Sequence, residues 1–185
     1  MGRASHILTL LSISLALTGI ALYAIAASPT SSLPPDGAVN DWAVLANSDK
    51  SGEMGSKASY DAYNGAVEAL QSQGIRYFAQ RTYRRPAGQA GQYHYVTLDV
   101  YQLRSVARAR KLYENKRAGY KAAKPLVDSK TIRDRAFVAT ISKFSVGVCQ
   151  RGIFVCEVSL SQGRGAADRA EAERFLDWVS GKLGS

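Results

Sequence analysis

Thirteen lysines and arginines fall between Arg84 and Arg135: Arg84, Arg85, Arg104, Arg108, Arg110, Lys111, Lys116, Arg117, Lys121, Lys124, Lys130, Arg133 and Arg135. Only Asp99, Glu114, Asp128 and Asp134 oppose them, so this stretch carries the whole net charge of +9. Read on a helix, Arg104, Arg108 and Lys111 share one face, and Arg110, Arg117 and Lys121 share another. Glu114 stands within helical reach of both Arg110 and Arg117 and is available for pairing with them. Arg84 and Arg85 belong to the adjoining hairpin. Such a cluster either keeps a domain soluble or docks it electrostatically on an acidic protein surface or anionic lipid heads.

The remaining chemistry-bearing residues are sparse. Cys149 and Cys156 are the only cysteines. They flank a tight turn at Arg151-Gly152, which predicts Cys149 opposite Phe154 and Cys156 on the same face, two residues on. A diagonal disulfide is then within reach, and two cysteines in an oxidising compartment usually pair. Two buried thiols are the alternative. There is no Cys-x-x-Cys and there are only two histidines, His6 and His94, so no metal site is expected. P-loop, dinucleotide and Gly-x-Ser-x-Gly fingerprints are missing. No catalytic residue and no cofactor is therefore expected. A hydrolase would have to use a cleft lined by Arg81, His94, Asp99 and Tyr101. Gly163-Arg164-Gly165 ahead of a helix could hold an anion.

These residues need elements to hold them. No Asp, Glu, Lys or Arg occurs between Arg3 and Asp36, and Ile7 to Ala27 is dominated by Ile, Leu and Ala. A helix over that span rises about 31 Å, enough to cross a hydrocarbon core of about 30 Å. It reads as a signal anchor, or as a signal peptide cut near Ala24-Ile25-Ala26. Arg3 before the segment and Lys50 as the first lysine after it place the domain outside. Nucleic acid fits the charge but not that compartment, and is not expected as a partner. Residues 28–40, with Pro29, Pro34 and Pro35, are expected to be a stiff spacer. Residues 41–185 are expected to form one domain.

Within that domain Trp42 to Leu45 reads as a short strand. Tyr60, Tyr63, Val67 and Leu70 recur at helical spacing, with a weak point at Asn64-Gly65, where Asn64 could cap a shorter helix, and a stop at Gly74. Ile75 to Tyr83 and Tyr93 to Leu103 read as a hairpin around a loop at Arg85 to Gln92. In the second strand Val96, Leu98 and Val100 are the expected core face, and Tyr95, Thr97, Asp99 and Tyr101 are expected outward. Ser105 caps a helix to about Ala118, its apolar side formed by Val106, Ala109, Leu112 and Tyr113. Strands follow at Ala136 to Ile141, Phe144 to Cys149 and Ile153 to Leu160. A last helix, about Ala167 to Leu183, buries Ala172, Phe175, Leu176, Val179 and Leu183. The predicted class is α+β, an antiparallel sheet with helices on one face, preceded by a transmembrane or signal helix.

The stretch Tyr60-Asp61-Ala62-Tyr63-Asn64-Gly65-Ala66-Val67-Glu68 resembles the signature of an exported bacterial family with no assigned function. Leu33-Pro34 near Trp42, Gln73-Gly74-Ile75, Tyr83 and Leu98-Asp99-Val100-Tyr101-Gln102-Leu103 follow in the family's order. Arg104-Ser105-Val106-Ala107-Arg108 departs from the acidic, glycine-containing helix start common there, and Ala66-Val67 departs from the small-residue pair. The resemblance implies an exported α+β domain and names no catalytic residue. The function expected is that of a membrane-anchored accessory or scaffold subunit whose domain docks on a membrane protein complex. The docking residues would be Arg84, Arg85, Arg104, Arg108, Arg110, Lys111, Arg117 and Lys121. An exported anion- or polymer-binding module is the alternative, ahead of a hydrolase.

Overall fold

A computed structural model describes residues 28–87, 93–123, 126–132, 135–142, 144–161 and 166–183. Ile7 to Ala27, most of the loop after Pro86 and Gly163-Arg164-Gly165 lie outside the described residues. Among the described residues, no helix is long and apolar enough to cross a membrane.

The chain runs through β1 (Ala43–Val44), β2 (Lys50–Glu53), α1 (Lys57–Tyr63), α2 (Val67–Ser72), β3 (Ile75–Pro86) and β4 (Tyr93–Leu103). It continues through α3 (Val106–Gly119), β5 (Leu126–Asp128), β6 (Arg135–Ile141), β7 (Phe144–Arg151), β8 (Phe154–Ser161) and α4 (Ala166–Leu183). The eight strands form one antiparallel sheet in the order β1-β3-β4-β8-β7-β6-β5, with β2 paired to the outer side of β3.

The sheet is covered on both faces, not one. Val96, Leu98 and Val100 of β4 join Cys149, Cys156 and Val158 in a core closed by Phe175, Leu176 and Val179 of α4. The other set from the same strands, Phe78, Tyr101, Phe137, Val148 and Val155, packs under α3 and α2 with Ala109, Leu112 and Val67. The reason is in the strands: residues 136–139 of β6 and 146–149 of β7 are unbroken runs without a polar side chain, so both of their faces need cover. The β4 set expected outward is thereby half buried. Tyr101 keeps 3% and Asp99 8% of its surface, while Tyr95, at the uncovered end, keeps 45%.

Residues 28–40 are part of this fold and not a spacer. Pro29–Ser32 forms a 3-10 turn, Leu33 and Val39 are buried, and Tyr83 donates its hydroxyl to the Pro34 carbonyl at 2.9 Å. Trp42 closes the same α4-side core, edge-on to Phe175. Its indole N–H donates to Glu171 at 3.2 Å.

Local signals explain the boundaries. Gly74, at φ +89°, ends α2 in a conformation that costs glycine nothing. The helical stripe from Tyr60 to Leu70 breaks at Asn64, whose φ of 48° and ψ of −127° close α1; Asn64 is a C-terminal cap rather than an N-terminal one. Gly147 lets α4 approach the sheet, since a Cβ there would lie 2.9 Å from Leu176 and 3.3 Å from Ala172.

Candidate functional site

Helix α3 positions the basic residues. Ser105 Oγ accepts from the Arg108 N–H at 3.3 Å, fixing the start. Ala109, Leu112 and Tyr113 turn inward, while Val106, expected with them, stays 45% exposed at the first turn. That orientation turns Arg104, Arg108, Arg110, Lys111 and Lys121 to solvent. Among the described residues, none of these five has an ion pair. Arg108 lies over Gly74, and with Lys111, Leu112, Asn115, Ser72 and Gln73 it lines a groove of about 210 Å³ between α2 and α3.

The other cations of the expected set have partners. Arg117 grips Asp128 of β5 at 3.0 and 3.1 Å. Glu114, available to Arg110 and Arg117 by helical spacing, accepts from Arg135 of β6 at 2.8 Å. The long-range partners win because β5 and β6 bring Asp128 and Arg135 beside the helix. Arg84 and Arg85 separate, as neighbours on a strand must. Arg84 is exposed on the α3 side, while Arg85 points to the α4 side with 14% of its side chain exposed. It bonds Glu171 at 3.0 Å and stacks 4.6 Å over the Trp42 ring. Arg85 therefore fastens the N-terminal segment to α4 and is no part of a surface shared with α3.

Beneath α3 lies a polar network. Asp99 of β4 stands opposite Gln80 of β3 on one side and Glu157 of β8 on the other. Tyr63, the last residue of α1, donates to Asp99 Oδ1 at 2.8 Å, as does Gln80 Nε2. Lys116 of α3 pairs with Glu157 and lies 5.5 Å over the Tyr101 ring. The Tyr120 hydroxyl donates to Glu157 Oε1 at 3.3 Å. Burial pushes the Asp99 carboxyl up to about 6, with the Glu157 charge adding to it and the bonds from Gln80 and Tyr63 opposing. Burial also pushes Tyr120 up to about 12 and raises Tyr63 and Tyr101 further. Alternation along β4 placed Asp99 on this face; only knowledge that helices cover it reveals the network.

Cys149 and Cys156 are directly opposite each other, not diagonal, because the loop is Gly152-Ile153 with Arg151 paired to Phe154. Gly152, at φ +54°, supplies the left-handed turn residue. Both cysteines are buried thiols in the α4-side core, with no bond joining them. The hydrolase cleft does not assemble. His94 and Arg81 share the α4 face by strand alternation, whereas Asp99 and Tyr101 lie on the α3 face. Arg81 bonds Asp49 and the Pro34 carbonyl. Among the described residues, no three His, Cys, Asp or Glu side chains come together as a metal site.

No protein-family model matches the chain, and no curated protein matches it. Among solved structures, the extracellular domain of PknH from Mycobacterium tuberculosis has a similar fold. The TM-score is 0.51 at 11% identity, over 83% of this chain and 93% of that one. At that identity the likeness is one of fold.

Proposed function

We propose that this chain is a membrane-anchored accessory subunit whose domain, outside the cytoplasm, docks through α3 on an acidic surface of a larger membrane protein complex. The observation that carries this is the set Arg104, Arg108, Arg110, Lys111 and Lys121. These are five exposed cations on one helix and its end, without ion pairs among the described residues, while Lys116, Arg117 and Arg135 beside them are paired. A solvated surface usually interleaves both signs; a one-sign face steers and orients an opposite one. The same sheet face ends in exposed Tyr95, Phe144 and Ile141, an aromatic and aliphatic edge beside Arg84 of the kind interfaces favour. Residues 28–40 fold on the α4 side, opposite α3. That placement favours a protein partner over the lipid heads next to the chain's own N-terminal segment. The extracellular setting of the PknH domain accords with an exported location.

Charge reversal tests it. In gently solubilised membranes, the wild-type chain should migrate on a native gel in an assembly larger than itself. The triple variant Arg104→Glu, Arg108→Glu, Lys111→Glu should migrate alone. Association that survives the triple change at physiological salt would end the docking reading. The alternative, an exported anion- or polymer-binding module, draws on the half-buried Thr82, Thr97 and Ser159 hydroxyls beside Tyr95. Alkaline carbonate extraction separates the two, because only a spanning anchor stays in the pellet.

A further inference from the structure

The two helical layers over the α3 face are each fastened to the sheet through one carboxylate, and the two carboxylates are cross-strand partners. Asp99 holds α1 by way of the Tyr63 hydroxyl at 2.8 Å. Glu157 holds α3 by way of Lys116 and the Tyr120 hydroxyl. Directly opposite positions on antiparallel strands place their Cβ atoms about 5 Å apart. The groups facing the pair are Tyr63 from α1, Gln80 from β3, Tyr101 from β4 itself, and Lys116 and Tyr120 from α3 and its end. Among the described residues, one cation, Lys116, thus stands against two acids.

We propose that Asp99 and Glu157 form a proton-operated clamp, in which proton uptake by Asp99 tightens α1 and α3 on the sheet and proton loss loosens them. The hydrogen bonds permit this. Tyr63 and Gln80 both donate to Oδ1, so a proton on the other oxygen keeps both bonds, weakened, and the relief of burying a charge outweighs that loss. What proton uptake removes is a charge buried under α1 and its repulsion with Glu157. The position of the Asp99 carboxyl near 6, raised chiefly by burial, agrees with that geometry. The clamp is independent of the docking reading, but it acts on the helix that carries the docking cations.

The sign follows from linkage. The folded carboxyl binds its proton more tightly than the unfolded one, whose midpoint is about 3.9. Stability from this group is therefore full below about pH 4 and is lost as pH rises through 6. A shift of about two units corresponds to roughly a hundredfold in the opening constant.

Amide hydrogen exchange of α1 and α3, converted to opening constants, tests the clamp on the folded domain at pH 4.5 and 7.5. In the wild type the opening constants should rise by roughly twentyfold between these two pH values, the rest of the hundredfold span lying below pH 4.5. In Asp99→Asn, which keeps the acceptor for Tyr63 and Gln80, most of that rise should vanish. Glu157→Gln should move the Asp99 titration, followed by carboxyl NMR, toward the ordinary carboxylate range. The clamp is overturned if Asp99 titrates near 4 in the wild type, or if Asp99→Asn leaves the pH dependence of α1 and α3 unchanged.

Discussion

Asp99, Gly147 and the cysteine pair show how far a single residue's type carries its role. Asp99 was legible as an acid alternating with tyrosine and threonine along a strand. Its burial depends on α1 and α3 arriving over β4, which no local pattern encodes. From the shift to about 6, the ionised carboxylate costs the fold about 3 kcal/mol at neutral pH, and the cost disappears below about pH 4. Asp99→Asn should therefore raise the unfolding free energy at pH 7.5 and leave it nearly unchanged at pH 3, read by denaturant titration. The cysteines face each other across β7 and β8, and directly opposed Cα atoms fall within disulfide range. The pair is reduced in the structure, and we expect it to oxidise once the chain is outside the cytoplasm. Denatured, unreduced protein should then resist thiol alkylation at both positions, and two alkylated cysteines would reject the bond. At Gly147 any side chain meets Leu176 and Ala172, so Gly147→Ala should cost about 1–3 kcal/mol.

Elements were legible where apolar periodicity ran long. The α4 stripe of Ala172, Phe175, Leu176, Val179 and Leu183 is buried as its spacing predicts. The Ser105 cap of α3 sits where a serine before a helical stripe placed it. Ser105→Ala should cost about 1 kcal/mol, measured as a lower midpoint of unfolding. Two strands escaped notice for a physical reason. Lys50–Glu53 has no apolar residue to show a period and is held to β3 by its backbone ladder and the Tyr77 hydroxyl on Glu53, and Leu126–Asp128 is too short to show one. The break between α1 and α2 was legible at Asn64-Gly65. There asparagine holds a backbone conformation that suits glycine, so Asn64→Gly should be neutral or slightly stabilising by thermal melting. The charged face of α3 was legible, but its pairing was not. Asp128 and Arg135 come from strands later in the chain, and they take Arg117 and Glu114 away from their helical neighbours.

At the scale of the molecule, the two-sided cover of the sheet decides what is surface. Strands apolar on both faces required helices on both, and that burial turned an expected outer tyrosine face into core. It left the outer side of α3 and the Tyr95–Phe144 edge as open ground. The N-terminal segment reads as linker by its prolines, yet Trp42, Arg85 and Glu171 bind it to α4. Leu33→Ala should cost about 2–5 kcal/mol, whereas an independent spacer would tolerate it. If residues 7–27 lie in a membrane, little slack separates that membrane from the domain, and the domain's orientation is then set by its own contacts. Docking then depends on contact made by α3. A photo-reactive amino acid placed at Lys111 and, in a second strain, at Arg169 of α4 tests it in intact cells at physiological salt. Lys111 should give a defined cross-link to a protein, abolished by Arg104→Glu with Arg108→Glu, and Arg169 should give none. Cross-links from Arg169 with none from Lys111 would put the interface on the other face and contradict it.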